Sequence, residues 1–298
     1  MNKINAIVVG SGNVGLKVID VLLNTNDFNL VGAIRRSGEP IAEYPQLEVK
    51  KSVDEFSEKI DVAFLAIPTR EVPKQAKEFL AKGIHTVDSY DIHSNILDVK
   101  TELAEVAKKY NAVAVVSSGW DPGTDSIVRA MLIAMAPRGM TYTDFGPGMS
   151  MGHTVAVKAI DGVKNALSMT MPTGAGVHRR LVYVELADGA IRDVVENAIK
   201  TDPYFINDET HVRFVDDVDA LKDVGHGVEL TRKGVSGSTG NQNFMFKMSI
   251  DNPALTAQVM VSSGRAATRL QSGAYTLIEI PMVDFLEGER DEWIKALV

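Results

Sequence analysis

An apolar run, Ile7-Val8-Val9, passes directly into Gly10-Ser11-Gly12-Asn13-Val14-Gly15, and this spacing of glycines constrains the chain more than any other feature. In a βαβ unit the first glycine permits the tight turn and the second lets the backbone approach a pyrophosphate. The third allows the helix to pack closely on the strand. The N–H groups at the start of that helix have no partners within it, so they are available to a phosphate anion. Gly10, Ser11, Gly12, Asn13, Val14 and Gly15 are therefore the expected phosphate loop, with a helix over Leu16 to Leu23 behind it. Phe28 to Ile34 reads as the second strand, whose end normally carries an acid that accepts from the adenosine ribose hydroxyls. Here the end is Arg35-Arg36-Ser37. Cations and a hydroxyl suit a 2′-phosphate, so the expected dinucleotide is NADP rather than NAD.

The first part of the chain continues as an alternation. Val62 to Ile67 is a buried strand, Val72 to Lys82 has helical spacing, and His85 to Asp88 is a strand. Ile96 to Tyr110 follows as a helix and Ala112 to Ser117 as another buried strand. Such alternation builds a parallel, doubly wound sheet. The texture changes at Gly119-Trp120-Asp121-Pro122-Gly123; a helix from about Ser126 to Met135 then leads into longer alternating strands. Among these are Leu181 to Leu186, His211 to Val215, and Phe244 to Ile250, in which Phe244, Phe246, Met248 and Ile250 share one face. The predicted fold class is α/β: an N-terminal Rossmann domain, 1–118 plus about 253–298, and a second α+β domain, about 119–252, on a mixed sheet that serves substrate binding and dimerisation.

With 298 residues and 45% hydrophobic content the chain can bury two cores. It has no cysteine, which excludes disulfides, thiol catalysis and thiolate metal sites, and no pair of histidines has helical ligand spacing, so no metal is expected. A net charge of −8 without clusters of Lys and Arg argues against nucleic acid as a partner. No apolar run approaches the roughly 18 residues of a membrane span, and the start of the chain enters a strand without a signal peptide. A cytoplasmic homodimer is the expectation.

In open α/β sheets, ligands sit beyond the carboxyl ends of the strands. Three segments occupy that position: Pro68-Thr69, expected to border the cofactor, Asp88-Ser89-Tyr90-Asp91, and Ser117-Ser118-Gly119-Trp120-Asp121. Together with Val87 to His93, four stretches carry a resemblance: Ser118 to Gly123, Phe145-Gly146-Pro147-Gly148-Met149-Ser150-Met151-Gly152-His153, Asn252-Pro253, and Gly264-Arg265-Ala266-Ala267. In these motifs, and along essentially its whole length, the chain resembles the meso-diaminopimelate D-dehydrogenases. The resemblance implies NADP-dependent, reversible oxidative deamination of the D-centre of meso-2,6-diaminoheptanedioate to L-2-amino-6-oxoheptanedioate and ammonia. Other readings of the residues are a D-amino acid dehydrogenase of wider range acting on 2-oxo acids, and a non-catalytic NADP-binding sensor.

By the resemblance, Asp91 and Asp121 meet the ammonium of the reacting centre; because an ammonium has no lone pair to push, one of them, directly or through a water, is the candidate proton acceptor. Trp120, Phe145 and the backbone of Met151 and Gly152 wall that centre, and Asn252 contacts substrate. Thr170, Arg180 and His226 surround the carboxylate of the distal L-centre, where the planar fork of Arg suits bidentate binding. On their own, the two aspartates equally suit turns and a helix cap, Thr170 suits a strand, and His226 between glycines suits a turn. Arg179 competes with Arg180, but strand alternation sends the two to opposite faces. Phe145 stands where relatives often carry tryptophan, and Arg35 and Ser37 exchange the serine and arginine of relatives. Of the remaining histidines, His85 reads as core, His211 as surface and His178 as exposed, while His153 is an outside candidate for acid–base work.

Overall fold

The computed structural model describes residues 3–221 and 225–298. The chain separates into two compact units, residues 1–130 with 253–298 and residues 131–252. The first division lies twelve residues beyond the expected 118/119. The reason is local: the Ser118 N–H donates to the Asp88 carbonyl at 2.6 Å, and the Asp125 N–H returns to the Trp120 carbonyl at 2.9 Å. The Gly119–Gly123 turn is thereby fastened to the first unit.

The first unit is the Rossmann fold. In chain order it contains β1 (Ile4–Val9), α1 (Asn13–Leu23), β2 (Phe28–Ile34), β3 (Val49–Lys50), β4 (Val62–Leu65), α2 (Val72–Leu80), β5 (His85–Asp88), α3 (Ile96–Lys109) and β6 (Val113–Val115). α4 (Thr124–Met135) contains the first division. After the second unit the chain returns through α7 (Asn252–Ala267), β13 (Gly273–Tyr275) and α8 (Arg290–Leu297). The sheet is parallel in the order β13-β6-β5-β4-β1-β2-β3. Continuous apolar runs are what such a sheet requires, because both faces are covered. Ala6 and Val8 pack with Val18, Leu22 and Met260 on the side of α1 and α7. Ile7 and Val9 pack with Val72, Phe79 and Leu103 on the side of α2 and α3. Arg265 of α7 is buried and forks onto the carboxylate of Asp27 while donating to the Phe285 carbonyl, which explains its place in a sequence motif.

The second unit is a six-stranded mixed sheet. Its elements are β7 (Arg138–Met149), α5 (Met151–Lys158), β8 (Val163–Gly174), β9 (Val177–Leu186), α6 (Arg192–Thr201), β10 (Glu209–Phe214), β11 (Gly225–Ser236) and β12 (Thr239–Asp251). The order is β10-β9-β8-β7-β11-β12, antiparallel except for the parallel pair β9–β10, whose crossover is α6. Val157 of α5 and Val195, Ile199 and Phe205 from the α6 region cover Ala166, Val182 and Val184. Leu167, Met169 and Val218 form a smaller core with Leu181 and Tyr183.

Candidate functional site

The strand order reverses between β2, on one side of β1, and β4, on the other, and a cleft of 690 Å³ opens there. It is lined by Gly10 to Val14, by Arg35, Arg36 and Ser37, and by Pro68. Gly10 has φ +94°, and a Cβ on it would lie 2.3 Å from the Ala66 carbonyl oxygen; one on Gly15 would lie 2.2 Å from that of Gly10. Only glycine allows this approach. Gly12 faces open space, and no side chain caps the start of α1, which begins three residues earlier than the apolar spacing alone suggests. The loop therefore presents free N–H groups to a cavity, which fits a pyrophosphate.

The basic corner is more constrained than its sequence implies. Arg35 donates to the Glu39 and Pro40 carbonyls at 2.9 and 2.7 Å, so it is engaged in its own turn. Arg36 pairs with Glu71, which also borders the cleft and whose carboxyl is held below the usual range chiefly by that arginine. Lys51, Gln75 and Ser89 line the same cleft. Thr69 is not among its lining residues; its hydroxyl donates to Asp91 at 2.6 Å.

Asp91 and Asp121 sit on neighbouring loops of the first unit, beyond β5 and β6. Asp88 links these loops. Its buried carboxylate accepts from the N–H groups of Tyr90 at 2.9 Å and Ser117 at 3.1 Å, and its carbonyl accepts from Ser118. Ser117 has φ +62°, unusual for a residue with a side chain, and the Asp88 bond holds it there. Trp120 is buried. Burial, and secondarily the negative charge of Asp125, push the Asp121 carboxyl above its ordinary range, against a smaller pull from His93 and Arg129. Asp125 is itself buried and accepts from Arg129 at 2.9 Å. Asp91 caps no helix: α3 begins at Ile96 behind Asn95, without a side-chain cap.

In the second unit, strand register puts Thr170, Arg180 and His226 on one row. His226 pairs with Gly148, Gly148 with Thr170 and Thr170 with Arg180. Directly paired residues share a sheet face, and the residue between His226 and Thr170 has no side chain. Arg180 donates to the Thr170 hydroxyl and is largely buried, whereas Arg179 is half exposed and lies 4.0 Å from Glu209. Arg180 also donates through Nε to Asp208 at 2.6 Å. His226 Nδ1 lies 3.2 Å from the Met149 carbonyl, and burial depresses its proton affinity. To donate from Nε2 as well, the ring must take up a proton, which an incoming carboxylate favours.

His178 is not exposed. Its Nε2 accepts from the Phe145 N–H at 2.7 Å with the rings 5.8 Å apart, so it fixes the segment carrying Phe145. Met151 and Gly152 open α5, the Met151 side chain lying outside the described residues; Asn252 opens α7. His153 bonds Ser150 at 2.8 Å and packs edge-on to Tyr204 and Phe205. His85 accepts from the Val113 N–H, and His211 is exposed beside Glu209. No group of three or more metal-ligating side chains occurs among the described residues, and none of their helices is long and apolar enough to cross a membrane. The contributions of Glu71 and Asp208, and the tie of Asp88 to Ser117, were not legible in the sequence, since each depends on a partner about thirty residues away along the chain.

Residues 119–179 match the family model of the diaminopimelic acid dehydrogenase C-terminal domain, and residues 5–108 that of the semialdehyde dehydrogenase NAD-binding domain. A meso-diaminopimelate D-dehydrogenase of Bacteroides fragilis is 58% identical over the full length of both chains. The Corynebacterium glutamicum diaminopimelate dehydrogenase, solved in complex with DAP, is 31% identical with a TM-score of 0.85 and complete coverage of both chains. An engineered D-amino acid dehydrogenase bound to NADP+ is 30% identical with a TM-score of 0.80, again covering both chains completely.

Proposed function

The chain belongs to the meso-diaminopimelate D-dehydrogenase family, and from this premise we propose that it oxidatively deaminates the D-centre of meso-2,6-diaminoheptanedioate, reversibly and with NADP. The products are L-2-amino-6-oxoheptanedioate and ammonia. The observation that carries the reading is the inward turn of Arg180 onto Thr170, with Arg179 turned away. A carboxylate clamp of this kind is what a substrate with a second, remote amino-acid centre requires, and a simple D-amino acid has nothing to place in it. NADP is favoured over NAD because no acid ends β2 and because Arg36, Ser37 and Lys51 border the cleft. A 2′-phosphate would take over Arg36 from Glu71. The exposed Met131, Ile133, Met140 and Met245 of the second unit support association of two copies.

When bound, the nicotinamide accepts hydride from the substrate Cα. The chain must hold that carbon still, remove the proton from its ammonium and admit water to the imine. An ammonium has no lone pair with which to expel hydride. Asp121 is assigned the proton, because burial and Asp125 raise its affinity for one. Asp91, held by Thr69, is assigned the ammonium contact. Trp120, Phe145, Met151 and Gly152 wall the centre, and Asn252 contacts the substrate. Thr170, Arg180 and His226 hold the distal carboxylate, so that remote binding energy positions the reacting carbon.

The test compares wild type with Asp121→Asn and Asp91→Asn, each with NADP and with NAD. Wild type is expected to favour NADP in kcat/KM. Asp121→Asn is expected to lower kcat by roughly 10²-fold or more while NADP still titrates normally. Full activity in both variants would remove the aspartates from the reaction, and equal use of both cofactors would remove the phosphate site.

A further inference from the structure

The distal centre of the substrate carries an ammonium beside its carboxylate, on the same carbon, and a site that reads only the carboxylate leaves half of that centre unrecognised. The clamp has a built-in anion in contact with Arg180. Asp208 accepts Arg180 Nε–H through Oδ2 at 2.6 Å, and its Oδ1 accepts no hydrogen bond from any described residue. It is fixed at the mouth of β10 by its own backbone: its N–H donates to the Phe205 carbonyl at 2.9 Å, and its carbonyl accepts from the Thr210 hydroxyl at 3.2 Å. Its side chain is 30% exposed beside an Arg180 that is 15% exposed, so the pair is sheltered but open on one side. His153 Nε2 lies 4.0 Å from the same Oδ2. His178 stands two residues before Arg180, on the same face of β9. Both histidines are disfavoured as cations, first by burial, with Arg180 adding to the effect. The cluster is therefore one cation and one anion in contact, matching the zwitterion it would receive.

We propose that Asp208 is a substrate-recognition residue, its carboxylate binding the ammonium of the distal L-centre while Arg180 binds the carboxylate. The inference rests on the assignment of the distal carboxylate to Thr170, Arg180 and His226. It gives the clamp a selectivity that Thr170, Arg180 and His226 alone do not supply: rejection of dicarboxylates that lack the second amine.

Asp208→Asn separates the two duties of this residue, because an amide oxygen still accepts Arg180 Nε–H but carries no charge. The probe pair is meso-2,6-diaminoheptanedioate and D-2-aminoheptanedioate, which keeps both carboxylates and the D-centre but has hydrogen in place of the distal ammonium. The measured quantity is the ratio of the two kcat/KM values, which does not depend on how much of the enzyme is folded. Wild type is expected to favour the diamino substrate, and Asp208→Asn to lower that ratio by about tenfold or more, mainly through KM of the diamino substrate. Asp208→Ser, measured alongside, provides a second neutral variant should Asn fold poorly. An unchanged ratio, with both substrates losing equally, would overturn the inference and leave Asp208 as a support for Arg180. Failure of wild type to oxidise the diamino substrate would instead overturn the underlying assignment.

Discussion

Asp88 combines two demands that oppose each other. Its carboxylate joins the loops that bear Asp91 and Asp121, yet it is completely buried, with one oxygen lacking any partner. Burial raises its pKa to about 6, more than the N–H groups of Tyr90 and Ser117 lower it. The sign of the consequence is fixed by linkage. The native state binds this proton more tightly than the unfolded chain, where the pKa is about 3.9, so this group favours folding at low pH. Its contribution falls as pH rises from about 4 to about 6 and is constant above. The full span is roughly 3 kcal/mol at most. Asp88→Asn keeps an oxygen for both N–H groups and removes the titration. Its melting temperature relative to wild type should therefore climb between pH 4 and pH 7; a difference that stays flat across that range would show that Asp88 does not carry the proton.

At the scale of elements, β9 shows what two-residue periodicity decides and what it leaves open. Alternation alone separates Arg179 from Arg180, and the structure turns Arg180 toward Thr170. The partner Asp208 is different, because β9 and β10 run parallel in register and their crossover is α6. No local pattern reports which acid in the stretch from Asp202 to Glu209 will arrive beside Arg180. The same division holds in the first unit. β2 and β5 are legible to the residue. β4 stops at Leu65 rather than Ile67, although the Ala66 N–H still donates to the Val9 carbonyl at 2.9 Å. His178 was misread because its acceptor role depends on a backbone N–H in another strand. Arg180→Ala should cost about 2–4 kcal/mol in kcat/KM for the diamino substrate and leave the slow reaction of D-alanine nearly unchanged. Arg179→Ala is the control; a larger loss from it, or equal losses on both substrates, would refute the clamp.

For the whole molecule, each of the two compact units carries its own share of the residues assigned under the proposed function. The first holds the phosphate cleft, Asp91 and Asp121, and is completed by the C-terminal return of α7 and β13, with β13 pairing to β6. The second holds the row from His226 to Arg180. The nucleotide loop alone identifies a scaffold shared by many chemistries; the linked motifs around Asp121, Phe145 and Asn252 narrow it to one family. The most direct test of the central claim is to incubate the purified protein with NADP and, separately, the meso, D,D and L,L isomers of 2,6-diaminoheptanedioate, following NADPH and ammonia together. The account predicts equal amounts of both from the meso isomer, little from the D,D isomer, whose distal centre has the wrong configuration, and none from the L,L isomer. NADPH from the L,L isomer at the meso rate, or none from the meso isomer, would contradict it.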